Sequence, residues 1–239
     1  MPGGTLTVEG LRAQYGDFKA LHGVSFTVQP GEIVSIVGSN GAGKTTTLRT
    51  VVGIIKPTGG SVTFDGARIE GRQPSEIVER GLAMVPEGRN LFRDMTVEEN
   101  LMMGAHVKRV RRSAKKRLGE MFERFSMLPP LRKRYAGSLS GGQQQIVAIA
   151  RALMSDPGVL LMDEPSLGLS PKITLEIFAL VKAIGNEGTS VVLVEQNVTH
   201  ALALASRAYV ITEGRSVMDG PSADILASGD VRRQFLGED

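Results

Sequence analysis

The chain has 239 residues, 41% hydrophobic and 22% charged, the balance of a globular protein large enough to bury a core without staples. It contains no cysteine, which excludes disulfides, thiolate metal sites and cysteine nucleophiles, and its net charge of +3 does not by itself point to nucleic acid. Met1–Thr5 lacks the basic and apolar regions of a signal peptide, and no stretch is as long as a membrane span, so a cytosolic protein is expected unless a partner holds it at a membrane.

Thr5–Glu9 and Val24–Val28 alternate apolar and polar residues and predict half-buried antiparallel strands, with a turn at Tyr15 and Gly16. Tyr15 reads first as an ordinary sheet aromatic, although a tyrosine upstream of a phosphate loop can stack on adenine. The apolar run Ile33–Val37 predicts a buried strand and Thr47–Gly53 a helix. Between them stands Gly38-Ser39-Asn40-Gly41-Ala42-Gly43-Lys44-Thr45-Thr46, which fits the pattern G-x-x-x-x-G-K-[ST]. Its glycines let backbone N–H groups and a helix N-terminus face phosphate oxygens. Lys44 then supplies a charge to the β- and γ-phosphates of ATP, and Thr45 a hydroxyl for Mg²⁺.

Lys56–Gly60 predicts a break, Ser61–Gly66 a strand and turn, Pro74–Gly81 a short helix and Leu82–Pro86 a buried strand followed by a loop from Glu87 to Phe92. Thr96 with Glu99 is a capping box that opens a helix through Met103. The basic run Lys108–Arg117 lies within a helical pattern whose apolar positions are Val107, Val110, Ala114, Leu118, Met121, Phe122 and Phe125. The basic residues therefore read as a solvated face, with anionic lipid or nucleic acid as the lesser reading. No strand is evident from Thr96 to Ala136, so residues 96–156 are expected to form a helical subdomain inserted into an α/β core made of 1–95 and 157–239.

Leu139-Ser140-Gly141-Gly142-Gln143 opens a further helix that Asp156-Pro157 ends. Paired glycines cost helix stability, and a second phosphate-binding terminus explains them better than a cap alone. Val159–Pro165 is a buried strand that ends in Asp163 and Glu164. There an aspartate can hold Mg²⁺ while the next carboxylate polarises the attacking water. Pro171–Asn186 predicts an amphipathic helix, Ser190–Glu195 a buried strand, Val198–Ala205 a helix and Ala208–Met218 a hairpin turning at Glu213 and Gly214, with short helical segments to finish.

The phosphate loop, the Leu139–Gln143 signature and the acidic strand end, in that order, resemble the ATP-binding cassette (ABC) family over essentially the whole chain. The resemblance implies a P-loop NTPase, RecA-like core with an antiparallel β subdomain and an inserted helical subdomain. It implies ATP and Mg²⁺ as cofactors, with nucleotide held by Tyr15, by Gly38 to Thr46 and, from a second subunit, by Ser140, Gly141, Gly142 and Gln143. Tyr15 becomes the adenine-stacking residue, Asp163 the Mg²⁺ aspartate and Glu164 the general base.

Three positions depart from the family pattern: Glu87 stands where glutamine usually touches Mg²⁺ and the attacking water, Ser170 replaces an aspartate, and Gln196 replaces the switch histidine. His200 lies one turn beyond and competes for that last role. Val85–Arg89, Ser166–Pro171 and Leu193–Asn197 together resemble the smaller ATP-binding subunit of branched-chain amino acid importers. Cassettes of urea and short-chain amide importers are similar, and a soluble non-transport ABC ATPase or a module that gates by binding alone are the remaining alternatives. The implied partners are a second cassette, two integral-membrane permease subunits and, indirectly, a substrate-binding protein. Nucleic acid is not expected, and the place is the cytoplasmic face of the inner membrane.

Overall fold

A computed structural model describes residues 3–231 and Arg233. Met1 and Pro2, part of the leader reading, and the remaining C-terminal residues, where the sequence predicts a helical finish, lie outside the described residues.

The first part of the chain forms β1 (Leu6–Tyr15), β2 (Phe18–Val28), β3 (Ile33–Val37), α1 (Lys44–Val51), β4 (Pro57–Phe64), β5 (Ala67–Arg68), α2 (Pro74–Arg80) and β6 (Leu82–Val85). The middle is helical: α3 (Val97–Gly104), α4 (Lys108–Arg111), α5 (Ala114–Arg124) and α6 (Gly141–Leu153). Then follow β7 (Val159–Asp163), α7 (Pro171–Asn186), β8 (Ser190–Val194), α8 (Val198–Leu204), β9 (Arg207–Thr212), β10 (Arg215–Pro221), α9 (Ser222–Ala227) and α10 (Gly229–Val231).

The strands run in the order β5-β4-β1-β2-β10-β9-β3-β8-β7-β6. β9, β3, β8, β7 and β6 are parallel neighbours, and β5, β4, β1 and β2 are antiparallel. The parallel strands are mostly apolar because both faces are covered, with Ser35 of β3 and Ser190 of β8 buried among them. Leu160 and Met162 of β7 pack with α6 and α7, whereas Val159 and Leu161 face a second core shared with α1 and the antiparallel strands. A third cluster seats α8 and α9 on Val37, Ala208 and Val210. The two halves of the sheet meet at Arg215 and Gly23, beside a bond from the His22 N–H to the Gly214 carbonyl of 2.8 Å.

Three expectations are corrected. The first strands run to Tyr15 and start at Phe18, twice the predicted length, because cross-strand pairing carries the polar residues beyond each apolar core. Pro57–Gly60 belongs to β4 rather than to a break, with Pro57 paired to Ala13 and Gly59 to Arg12 at the sheet edge, where a missing N–H is tolerated. The basic segment is two helices, not one, and two of its arginines turn inward. Arg109 donates to the Ser155 carbonyl and to the Asp156 carbonyl at 3.0 Å, and Arg117 reaches the Leu153 and Met154 carbonyls at 2.9 and 3.1 Å and Asp156 at 3.0 Å. They bind the carbonyls at and just beyond the C-terminal end of α6, Leu153 to Asp156, where the helix no longer supplies partners. The apolar stripe is buried as predicted except for a half-buried Phe122.

The loop leading to α3 is fixed by Asn100, which is fully buried. Its side chain accepts from the Phe92 N–H at 3.0 Å and donates to the Phe92 and Thr96 carbonyls at 3.0 and 2.9 Å. Asn100→Ala strands these buried groups and is expected to cost about 1–3 kcal/mol. The check is a lower denaturant midpoint at unchanged slope; a midpoint equal to wild type would show that the loop does not depend on this side chain.

Candidate functional site

β3 ends at Val37 and the chain turns through Gly38–Gly43 into α1. Gly38 passes so close to β9 that a Cβ there would lie 2.3 Å from the Ile211 carbonyl oxygen. Gly43, at φ 104°, enters the helix in a conformation that other residues resist, and a Cβ would meet Leu21 at 2.8 Å. No side chain caps α1 and no acidic residue occupies its first turn, so its N-terminal N–H groups remain available to an anion. From the far side the Gly214 N–H braces the loop through the Ala42 carbonyl at 2.9 Å.

Lys44 is buried, and its Nζ donates to the Gly38 and Ser39 carbonyls at 2.9 and 3.2 Å while standing 3.8 Å from Glu164 Oε1. Thr45 Oγ1 donates to Asp163 Oδ1 at 2.9 Å. The other oxygen, Asp163 Oδ2, is buried and has no hydrogen-bond partner. Burial pushes the Asp163 carboxyl above the usual carboxylate range; the Thr45 bond opposes this, and the Glu164 and Glu87 charges add to the rise. An orphaned carboxylate oxygen beside a hydroxyl and a second carboxylate is an all-oxygen, hard donor set, and so fits Mg²⁺. No cluster of three His, Cys, Asp or Glu side chains able to hold a metal exists among the described residues.

Lys44, Thr45 and Glu164 line a cleft of ≈ 800 Å³ with Tyr15, Asn40, Gly41, Gly43, Thr46, Glu87 and Gln196, while Asp163 lies buried behind Thr45. Gly38, Ser39 and Ala42 do not line it; they shape the loop, two of them through carbonyls that hold Lys44. Tyr15 is 46% exposed, with its hydroxyl 3.4 Å from Thr46 Oγ1. Glu164 takes a left-handed conformation at φ 46°, and its N–H donates to the Val194 carbonyl at 2.9 Å. His200 is not a lining residue: its ring packs against Phe178 with centroids 5.4 Å apart.

Sequence reasoning missed Phe18, which is 70% exposed in the same cleft and pairs with Tyr15 across the hairpin. The signal was present, since two aromatics flanking a tight turn are cross-strand neighbours. Lys19, Ala20 and His22 also line the cleft and carried no motif, whereas Leu167 was read only as part of the Ser166–Pro171 motif and Glu213-Gly214 only as a hairpin turn.

The Ser140–Gln143 segment lies outside this cleft. Ser140 caps α6, its Oγ accepting from the Gln143 N–H at 3.4 Å while Gln143 Oε1 accepts from the Ser140 N–H at 3.0 Å. A Cβ on Gly142 would lie 2.7 Å from Ile173, so packing against α7 already demands that glycine, without a ligand. Ser140 is exposed, and a Cβ on Gly141 would meet the Arg89 guanidinium at 3.4 Å.

Residues 21–167 match the family model described as ABC transporter. The chain is 44% identical over 235 residues to the high-affinity branched-chain amino acid transport ATP-binding protein BraG of Pseudomonas aeruginosa, covering 97% of this chain and 99% of that one. A solved ATP-binding cassette of an ABC transporter in its ADP conformation superposes with a TM-score of 0.83 at 30% identity, covering 98% and 99% of the two chains. A cassette solved as a dimer in a post-hydrolysis state with ADP and Pi superposes with a TM-score of 0.78 at 28% identity, covering 91% and 98%.

The raised Asp163 carboxyl sets a pH dependence. The folded chain binds more protons than the unfolded chain between the two titrations, so this contribution favours folding at low pH and is lost as pH rises through the folded value. Without nucleotide and metal, Asp163→Asn is therefore expected to melt above wild type at neutral pH, with the gap closing as pH falls through the ordinary carboxylate range. Melting curves against pH test this; an Asn variant less stable than wild type at neutral pH would contradict it.

Proposed function

The chain belongs to the ABC transporter family and is an ATP-hydrolysing cassette; from that membership we propose that it energises uptake of branched-chain amino acids through partner membrane subunits. The observation that carries the ATPase chemistry is that Lys44, Thr45 and Glu164 line one cleft, with Asp163 bonded to Thr45 behind it. The branched-chain assignment rests on the 44% likeness to BraG together with the motifs around Glu87, Ser166 and Gln196.

In the proposed cycle Lys44 leaves the loop carbonyls for the β- and γ-phosphates, and the N–H groups of Gly41–Thr46 enclose the same oxygens. Tyr15, with Phe18 beside it, stacks on adenine. Thr45, Asp163 and Glu87 hold Mg²⁺, which when bound neutralises developing charge on the phosphates. Glu164 accepts the proton of the attacking water, and Gln196 donates a hydrogen bond to the γ-phosphate without adding the positive charge that a histidinium would.

Ser140, Gly141, Gly142 and Gln143 do not line their own cleft, which supports a working unit of two cassettes facing one another, alike or different. The core of 1–95 and 157–239 and the helical insertion 96–156 are the two parts of each cassette.

Two permease subunits dock beside the Glu87 loop. A cleft of ≈ 450 Å³ there is lined by Val78, Ala83, Phe92, Met103 and Val107, and Phe92 and Met103 are exposed. No helix among the described residues is long and apolar enough to cross a membrane, so attachment at the cytoplasmic face runs through these subunits, and contact with a substrate-binding protein is indirect. Reconstitution with permeases tests the solute, since stimulation of ATP hydrolysis by a leucine-loaded binding protein supports the reading and stimulation by a urea- or amide-loaded one replaces it.

Glu164→Gln is expected to keep ATP binding, lower phosphate release about 100-fold or more and accumulate an ATP-bound dimer on size exclusion. Unchanged steady-state release would falsify the assignment of Glu164 as base. For the switch position, Gln196→Ala is expected to slow hydrolysis about tenfold, the order of one lost hydrogen bond, while His200→Ala affects melting more than rate. A rate defect confined to His200→Ala would move the role to that residue.

A further inference from the structure

Glu195 closes the same strand end as Gln196, yet it is 2% exposed and takes no part in the scheme above. Both its oxygens accept from one residue: Oε1 from the Ser166 N–H at 3.0 Å and Oε2 from the Ser166 hydroxyl at 2.9 Å. Ser166 lies two residues beyond Glu164, in a turn closed by the Leu167 N–H on the Glu164 carbonyl and the Leu169 N–H on the Ser166 carbonyl, each at 3.1 Å. The start of the turn is tied to the same strand, since the Glu164 N–H donates to the Val194 carbonyl at 2.9 Å.

A carboxylate in this place costs stability that an apolar side chain would not, and burial holds its carboxyl above the usual range even against both Ser166 bonds. What it supplies is geometry. Two acceptor oxygens in one plane take an N–H and an O–H of a single serine, which fixes that serine's backbone and side chain together. The turn needs such support because Glu164 sits in a left-handed conformation that a non-glycine residue leaves readily.

We propose that Glu195 is a positioning residue: its paired bonds to Ser166, with the Val194 carbonyl's bond to Glu164, clamp the turn that aims the Glu164 carboxylate beside Lys44. The clamp also locks that turn to the backbone that delivers Gln196, so both groups facing the γ-phosphate share one anchor. The proposal rests on the reading of Glu164 as base.

The test uses the full chain with Glu195→Gln, Ser166→Ala and the double variant. An amide keeps one acceptor for the N–H and offers the serine hydroxyl a neutral donor, so the charge-assisted bond to the hydroxyl gives way to a reversed, weaker one. For Glu195→Gln, amide hydrogen exchange over residues 164–169 is expected to quicken about tenfold and kcat to fall about tenfold, with the Kd for ATP within about twofold. Ser166→Ala is expected to lower kcat about threefold, and the double variant to be no worse than Glu195→Gln, because both act on the same contact.

Faster exchange with unchanged kcat would reduce Glu195 to a structural residue, and additive losses in the double variant would show that the two side chains act separately. Either result overturns the proposal. Should Glu195→Gln fail to fold, exchange and kcat in Ser166→Ala decide alone. Unchanged phosphate release in Glu164→Gln would overturn the base assignment and not the clamp, which the exchange rates report independently.

Discussion

The Asp163 carboxylate is buried with one oxygen bonded to Thr45 and the other to nothing, and the cleft is arranged around that imbalance. A buried unpaired carboxylate oxygen is costly, and no ion pair answers it: Lys44 is turned to the Gly38 and Ser39 carbonyls and lies 3.8 Å from Glu164, while the Arg49 charge eases Asp163 only in part. The Glu164 and Glu87 charges both act on Asp163, so this end of the fold carries an electrostatic load. A hard cation and a polyphosphate together relieve it, since the ion answers the carboxylates and the phosphates answer Lys44 and the open end of α1. Stability surrendered to this crowding of charge is regained as binding energy for the pair of ligands.

The same economy of parts ties the cleft to the rest of the molecule. Beyond Glu87 the chain adopts left-handed conformations at Arg89 and Asn90, and their carbonyls are held by the Arg151 guanidinium at 2.9 and 2.8 Å. Arg89 in turn reaches Gln145 and Gln144 at 3.3 and 3.4 Å. The loop that brings Glu87 to the cleft is thus fastened to α6, the helix that Ser140 caps. A displacement of that loop has to carry α6 with it or break these bonds, which links the apolar groove beside Phe92 to the cleft and to the helix that Ser140 caps.

Much of this was legible in the chain because local rules agree with the tertiary result. Ile33–Val37 and Pro171–Asn186 appear with the predicted limits, and the capping boxes at Thr96 and Ser140 form as read. In each, apolar period and terminal chemistry point the same way. Errors arose where a residue's partner is distant. The reach of β1 and β2, and Pro57 within β4, depend on cross-strand pairing, and the inward turn of Arg109 and Arg117 depends on the carbonyls that end α6. Periodicity assigns a face but cannot see what lies beyond it.

The sequence by itself determined the phosphate loop, the acidic strand end, the signature and their order, because each is a run of neighbours whose spacing encodes its backbone. Only the tertiary structure decided which groups share the cleft. It brought Thr45 to Asp163 across 118 positions and set Phe18 beside Tyr15. Gln196 lines the cleft and His200 does not, while Ser140 is exposed outside it. It also hid Glu195 behind the turn of Glu164, a placement that no motif announces because its meaning lies in a bond to a serine 29 positions away.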